Sequence, residues 1–132
     1  MRKAFLMVAA ALVIADANAA LACLRLGQPA TLTGTVFRQI FPGPPGYESL
    51  SDGDRPETAL MLVLDAEVCA TDEAGHRLAS AFVQLVAKDD HQYDQLNAYR
   101  GSQLTVTGDL FEAETGHHHA PLLIEKLLFP PR

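Results

Sequence analysis

Three consecutive histidines, His117, His118 and His119, form the densest group of side chains in this chain that can bind a metal or transfer a proton. Imidazole is the commonest metal ligand in proteins and serves as a general base near neutral pH. In an extended segment His117 and His119 share one face, whereas His118 faces away. We therefore expect at most two of them to bind one zinc or copper ion, helped by a nearby carboxylate. The candidate carboxylates are Glu48, Asp52, Glu112 and Glu114.

A structural role for these histidines is an open alternative. One histidine can stabilise a turn by bonding backbone carbonyl groups while its neighbour stacks on Tyr47. A catalytic role would need a base and a nucleophile, for which the histidines with Ser49 and Tyr47 are candidates. The sequence has no G-x-S-x-G, H-E-x-x-H or catalytic-cysteine signature, so no residue is assigned as catalytic. A metal-dependent hydrolase that uses His117 and His119 is the alternative to a binding function.

A second unusual segment, residues 41–57, begins Phe41-Pro42-Gly43-Pro44-Pro45-Gly46-Tyr47-Glu48-Ser49. Proline removes backbone donors and glycine permits positive φ, so this composition predicts an ordered but irregular loop. Tyr47 and the prolines offer a flat apolar surface with histidines and carboxylates at its rim. Such a surface is suited to a protein partner, a peptide or an envelope glycan.

Periodicity and turn residues predict five strands and one helix between the third and fourth strands. The strands are expected over 31–40, 59–68, 81–87 and 103–112 and within 119–129, with the helix over 89–100. This order predicts a mainly β protein, a small five-stranded OB-like Greek-key barrel. Gly34 and Gly108 lie within strands and are expected to bend two neighbouring strands. An α+β sandwich is the alternative.

In an OB-like barrel the loops after strands 1 and 4 flank the binding face. Here those loops are residues 41–57 and 112–121, the two chemically richest stretches of the chain. We therefore predict a binding site between them, with His117 and His119 as the candidate metal ligands. The predicted binding residues are Tyr47, Glu48, Ser49, Asp54, Thr115, His117, His118 and His119.

The N-terminus has the composition of a secretory signal peptide. Arg2-Lys3 precede an apolar run from Ala4 to Ala15, and Ala17-Asn18-Ala19 fits a cleavage site. The prediction is a signal peptide over 1–19 and a single OB-like β domain over 20–132, periplasmic or secreted. The apolar run is shorter than the roughly 20 residues that span a membrane.

Cysteine content and charge narrow the possibilities further. Cys23 and Cys69 in an exported chain indicate one disulfide, whereas two thiols that bind copper or zinc are disfavoured without C-x-x-C spacing. Lipidation at Cys23 is ranked below a soluble product, because Ala20 stands where a lipobox usually has leucine. The formal net charge of -6 disfavours a nucleic-acid partner. Composition does not predict the oligomeric state.

Both unusual segments together resemble a known family. Thr33-Gly34-Thr35, the 41–49 segment, Gly53-Asp54 and the stretch from Thr115 to Leu123 are similar to a domain-of-unknown-function family of exported bacterial proteins. That family is marked by G-P-P-x-Y-E-S and T-G-H-H stretches. The resemblance implies export, one small β domain and cysteines that correspond to those of the family, and it implies no activity. The family often has threonine where this chain has Ala120, which removes one hydroxyl near the predicted site.

Overall fold

The computed structural model describes residues 22–132, so the predicted signal peptide lies outside the described residues. As predicted, the described chain is mainly β, with one short helix. No helix within residues 22–132 combines the length and apolar character needed to cross a membrane. In order the elements are β1 (Leu24–Arg25), β2 (Pro29–Pro42), β3 (Pro56–Thr71), β4 (Arg77–Leu85), α1 (Asp90–Asn97), β5 (Gln103–Glu112) and β6 (Leu122–Leu128).

The strands form one mixed sheet of six strands in the order β1-β3-β2-β5-β6-β4. Since β4 also pairs with β3, the strands β3, β2, β5, β6 and β4 form a ring. Five strands were predicted; the additional strand β1 has two residues, too few to give a periodic signal. Leu24 and Arg25 pair in parallel with Ala70 and Thr71 of β3. The predicted disulfide is confirmed, because Cys23 is bonded to Cys69 and fastens β1 to β3.

The predicted 41–57 loop is too long, because its ends belong to strands. Phe41 pairs with Glu57 and Pro42 pairs with Pro56, so the irregular hairpin loop spans 43–55. Proline is tolerated at the end of a strand, where the missing N–H breaks no ladder bond. The predicted helix is also too long. Asp89 is its N-cap and accepts a 2.8 Å hydrogen bond from the Gln92 N–H, and the helix ends at Asn97.

The core fills the interior of the ring of strands. Side chains alternate along each strand, so every second residue points into the ring and its neighbours point outward. The largest fully buried side chains are Leu60, Leu62, Leu96, Leu110, Leu122, Leu123, Ile124, Val36, Val83 and Val106. A second, smaller apolar cluster of Ala59, Met61 and Ala120, with Phe41 against it, lies outside this core. It fixes the histidine segment to the sheet.

Candidate functional site

The hairpin loop (43–55) and the histidine loop (113–121) contact each other directly through Tyr47. The Tyr47 hydroxyl lies 3.1 Å from His117 Nε2, and the two rings meet edge to face with centroids 5.2 Å apart. The tyrosine ring also covers Gly116. A Cβ atom at Gly116 would lie 2.8 Å from that ring, so only glycine permits this approach. The structure therefore places Tyr47 and the histidine loop side by side.

Glu57 joins two of the three histidines. Its Oε1 atom lies 2.6 Å from His117 Nδ1, and its Oε2 atom lies 3.6 Å from His119 Nε2. The His119 ring stacks on Phe41 with centroids 4.2 Å apart and is 9% exposed, whereas His117 is 59% exposed. The result is a continuous series of phenol, imidazole, carboxylate and imidazole. Its accessible members are Tyr47 and His117.

Two buried atoms of this series have no hydrogen-bond partner within residues 22–132. They are Glu57 Oε2 and His119 Nε2, which face each other. A buried polar atom without a partner costs free energy, so a small approach of the two groups would stabilise the site. Within the described chain no group of three or more His, Cys, Asp and Glu side chains has an arrangement that could hold a metal ion. Glu57 and His119 alone would supply two ligands, below the three or four that zinc takes from a protein.

His118 has a different environment from its two neighbours. Its Nδ1 atom accepts hydrogen bonds from the backbone N–H groups of Glu114 (2.8 Å) and Thr115 (3.2 Å). The ring edge also packs on Phe111, with centroids 5.3 Å apart. Because Nδ1 accepts, the proton of the neutral ring lies on Nε2. His118 therefore holds the turn of its own loop, through backbone N–H groups rather than the carbonyl groups expected from the sequence.

Gln84 of β4 fastens the histidine loop to the outer face of the sheet. Its side-chain amide donates to the His117 carbonyl (3.1 Å), and its Oε1 atom accepts from the His119 N–H (2.6 Å). Gln84 is buried and pairs with Met61, whose side chain belongs to the outer apolar cluster. These bonds fix the backbone on both sides of His118. Consequently His117 and His119 are directed to Glu57.

Asp54 organises the hairpin loop from within. Its carboxylate accepts hydrogen bonds from the backbone N–H groups of Ser49 (2.9 Å), Glu48 (2.9 Å) and Gly46 (2.8 Å). These bonds lower the pKa of Asp54 below its ordinary value of 3.8, and the bond from Ser49 has the largest effect. Tyr47 lies between the bonded residues with φ of 57°, a left-handed conformation that is uncommon outside glycine. The Asp54 carboxylate thus holds the backbone conformation that directs Tyr47 to His117.

Replacement of Asp54 by asparagine is expected to loosen this loop without unfolding the sheet. Asparagine has one acceptor oxygen, so at least one of the backbone N–H groups loses its partner. We expect amide hydrogen exchange at Gly46, Glu48 and Ser49 to quicken about tenfold, with strand amides unchanged.

The pH dependence of the same loop follows from the lowered pKa of Asp54. The ionised carboxylate accepts the bonds, so the stabilisation is complete above the ordinary pKa of 3.8 and is lost as pH falls through the lower folded pKa. Asp52→Asn, which removes a neighbouring exposed carboxyl of the loop, is the matched control. Equal exchange in the two variants would contradict the assigned role of Asp54.

A groove of about 300 Å³ opens beside the histidine loop, toward the start of α1. Within the described chain, carboxylates and hydroxyls line this groove, and no lysine or arginine does. The Tyr93 hydroxyl lies 3.2 Å from Thr58 Oγ1. The groove is therefore acidic. Its polar lining residues are Glu57, Thr58, Gln84, Asp89, Asp90, Tyr93, His117 and His118.

The structure thus assigns the predicted site residues to different places. Tyr47, His117 and His119 converge on one cluster, and His118 lies beside it. Thr115 acts inside its own loop, where its hydroxyl accepts from the His117 N–H at 3.3 Å. The remaining residues, Glu48, Ser49 and Asp54, shape the hairpin loop that carries Tyr47.

The carboxylate that contacts the histidines is Glu57, which was not among the carboxylates expected to help them bind a metal. Within the described chain, none of Glu48, Asp52, Glu112 and Glu114 forms an ion pair with His117 or His119, and Glu57 does so with both. Glu57 was missed because the sequence placed it in a loop, without a pairing register. The pairing of Glu57 with Phe41 sets its position, and no local pattern indicates that register. Gln84 was missed for the same reason, as one polar residue in an apolar strand.

Comparison with protein families finds a domain of unknown function (DUF4431) at residues 82–125. The match covers about a third of the chain, from β4 to β6, and includes the histidine loop and Gln84. It does not reach the hairpin loop. The searches of curated proteins and of solved structures found no match.

Proposed function

We propose that this chain is a small exported binding domain. Its binding surface is the face between the 41–57 and 112–121 loops, and its ligand is a basic segment of a partner protein. The observation that carries the proposal is the hydrogen-bonded series from Tyr47 through His117 to Glu57, which joins the two loops at the rim of the acidic groove. Residues distant in sequence are held there in fixed positions, and His117 remains open to solvent.

The charge of the groove favours a cationic partner segment. Asp89 and Asp90 lie at the start of α1, and Asp90 has no hydrogen-bonded partner among the described side chains. A lysine or arginine side chain can pair with Asp90 while its aliphatic stem packs against Tyr93. The net charge of the whole chain, -6, would also speed encounter with a basic protein.

The fold and the disulfide support two further parts of this proposal. The ring order, with a helix between β4 and β5, is consistent with an OB-like Greek-key topology, in which these loops flank the binding face. The disulfide supports a periplasmic or secreted location, since such bonds persist in oxidising compartments. It also occupies Cys23, which argues for a soluble product over a lipoprotein.

The first test is titration with a short acetylated and amidated peptide that alternates lysine and arginine with glycine. Isothermal titration calorimetry should give saturable binding that weakens about tenfold in His117→Ala, a loss of about 1.4 kcal/mol. His76→Ala is the matched control. His76 also lies 2.9 Å from a carboxylate, that of Asp72, but it belongs to the turn between β3 and β4.

Two other probes separate the remaining ligand classes. A chitosan oligosaccharide represents an envelope glycan with amino groups, and zinc or copper chloride with a chelator control represents a metal. Binding of the oligosaccharide with no binding of the peptide would replace the protein partner by a glycan. Zinc or copper binding that is lost in His119→Ala would instead favour the metal-dependent alternative. Absence of saturable binding by every probe would overturn the binding face.

A further inference from the structure

The last third of β2 is exposed on both faces. Phe37, Arg38, Gln39 and Ile40 are all exposed in succession, with Phe37 at 48% and Ile40 at 56%. One edge of this segment pairs with β3 over residues 34–42. On the other edge, β5 pairs with β2 only over residues 29–35. Beyond Val36, therefore, no strand of the described chain borders this edge of β2.

The backbone groups of this edge point outward in a defined pattern. The Val36 N–H donates to the Ser102 carbonyl (3.1 Å), and the Val36 carbonyl accepts from the Gly101 N–H (2.8 Å), so both groups point away from β3. The pairing of β2 with β3 has no register shift, and backbone direction alternates along a strand. The N–H and C=O groups of Arg38 and Ile40 therefore also point away from β3. Within residues 22–132 no loop or turn donates to or accepts from these groups, and the pairing with β5 ends at Thr35.

We propose that a second copy of this chain pairs with this edge. The two β2 strands run antiparallel about a two-fold axis at Gln39, so that Arg38 of each copy lies opposite the partner's Ile40. This register satisfies every outward N–H and C=O group of both residues in both copies. Edge strands are commonly protected by proline, lysine or a bulge. Here Arg38 and the terminal Pro42 are residues of this kind. Arg38 pairs with the partner's Ile40, and Pro42 lies at the end of the strand, outside the paired residues.

This edge of β2 is complementary to itself in the register with the axis at Gln39, and it is not in the two registers on either side. An axis at Arg38 would place two arginines opposite each other and would need the Val36 groups that residues 101 and 102 already occupy. An axis at Ile40 would place Arg38 opposite the partner's Pro42, which has no N–H to donate. Of these three axes, only the axis at Gln39 pairs every outward N–H and C=O group of Arg38 and Ile40. This match of the edge to itself is the reason for proposing a second copy.

Side chains on the outer face support the same arrangement. Phe37 would lie beside the partner's Phe41, and cross-strand aromatic pairs stabilise sheets. Phe37, Met61, Val63 and Phe82 line an open apolar groove of about 460 Å³ next to this edge. Pairing would continue the sheet into the second copy and remove Phe37 from water. The proposal does not depend on the ligand of the histidine loop, because the residues that would pair belong to β2 and not to that loop.

Substitution of Ile40 by proline tests the backbone bonds. Because the Ile40 N–H points away from β3, proline removes no bond of the β2–β3 ladder but removes a donor from the edge in each copy. In sedimentation equilibrium of the full chain, we expect self-association to weaken at least about tenfold in Ile40→Pro, which corresponds to about 1.4 kcal/mol. Ile40→Ala keeps the N–H and is the matched control, with a smaller effect. Circular dichroism must show the same β content in both variants.

A cysteine at the proposed axis tests the register. Opposed residues in a non-hydrogen-bonded pair have Cα atoms about 4.5 Å apart, within the range that a disulfide bridges. Gln39→Cys is expected to give a disulfide-linked dimer on mild oxidation, and Gln95→Cys, on the exposed face of α1, is expected to remain a monomer. Equal cross-linking in both variants would overturn the proposal, as would a wild-type chain that is monomeric at all concentrations. Strand addition by a different protein to an otherwise monomeric chain would also overturn it.

Discussion

Replacement of both cysteines by serine is expected to lower the free energy of unfolding by about 4 kcal/mol. The Cys23–Cys69 bond closes a loop with a sequence separation of 46 residues. Without the bond the unfolded chain regains the conformational entropy of that loop. Within residues 22–132 the two residues of β1 pair only with β3, so the bond also fixes a strand that has little other support. A loss of this size is a large fraction of the stability of a small domain.

Guanidinium chloride unfolding of Cys23→Ser/Cys69→Ser, followed by circular dichroism, measures this loss. Reduction of the wild-type protein should produce the same decrease, and the double variant should not respond to the reductant. A single variant is a poor substitute because it leaves a reactive thiol. If the double variant and the wild type unfold at the same denaturant concentration, the disulfide does not contribute to stability as argued.

The order of the elements could be predicted because each has a local signal. Strand β5 has the predicted bounds, Gln103–Glu112, since leucine and valine alternate with threonine between turn residues. The helix starts at the predicted place because the Asp89 side chain bonds the Gln92 N–H, a contact within one turn. In both cases the residues that decide the structure are neighbours in sequence. For the same reason the two-residue strand β1 gave no signal.

The contents of the candidate site could be predicted only in part. Tyr47 and His117 were both predicted as binding residues because their chemical types stand out within their loops. Glu57 and Gln84 hold the histidines in place, yet each depends on pairing between residues far apart in sequence. Glu57 reaches His117 only when β2 pairs with β3. Gln84 reaches the histidine loop only when β4 pairs with β3. Local sequence therefore identified the exposed binding residues of the site and missed the residues that hold them in position.

The open edge of β2 has a cause that the sequence did suggest. Gly34 was predicted to bend its strand, and in the structure β2 exchanges partners there, since its pairing with β5 ends at Thr35. Past Thr35, β2 continues with β3 and leaves β5. The free backbone groups of Arg38 and Ile40 follow from this divergence. The change of partners at Gly34 and Thr35 thus leaves the proposed dimer edge open.

Gly34→Ala is therefore expected to be among the most destabilising substitutions of a single methyl group in this chain. A Cβ atom at Gly34 would lie 2.2 Å from the Val63 carbonyl oxygen and 2.8 Å from the Val63 carbonyl carbon. These are backbone atoms, so no side-chain rotation can relieve the overlap and β2 must separate from β3. We expect a loss of about 3 kcal/mol or more in the free energy of unfolding. Denaturant unfolding of the oxidised protein measures it.

Gly108→Ala should behave alike, because its Cβ atom would lie 2.4 Å from the Glu125 carbonyl oxygen. The matched control is Gly75→Ala, in the turn between β3 and β4. Gly75 has φ of 84°, and no atom of residues 22–132 lies within 4 Å of the added carbon, so the cost is limited to backbone strain of about 1 kcal/mol. A Gly34→Ala protein as stable as Gly75→Ala would mean that β2 and β3 separate at little cost. The close approach at Gly34 would then not be needed for the ring of strands.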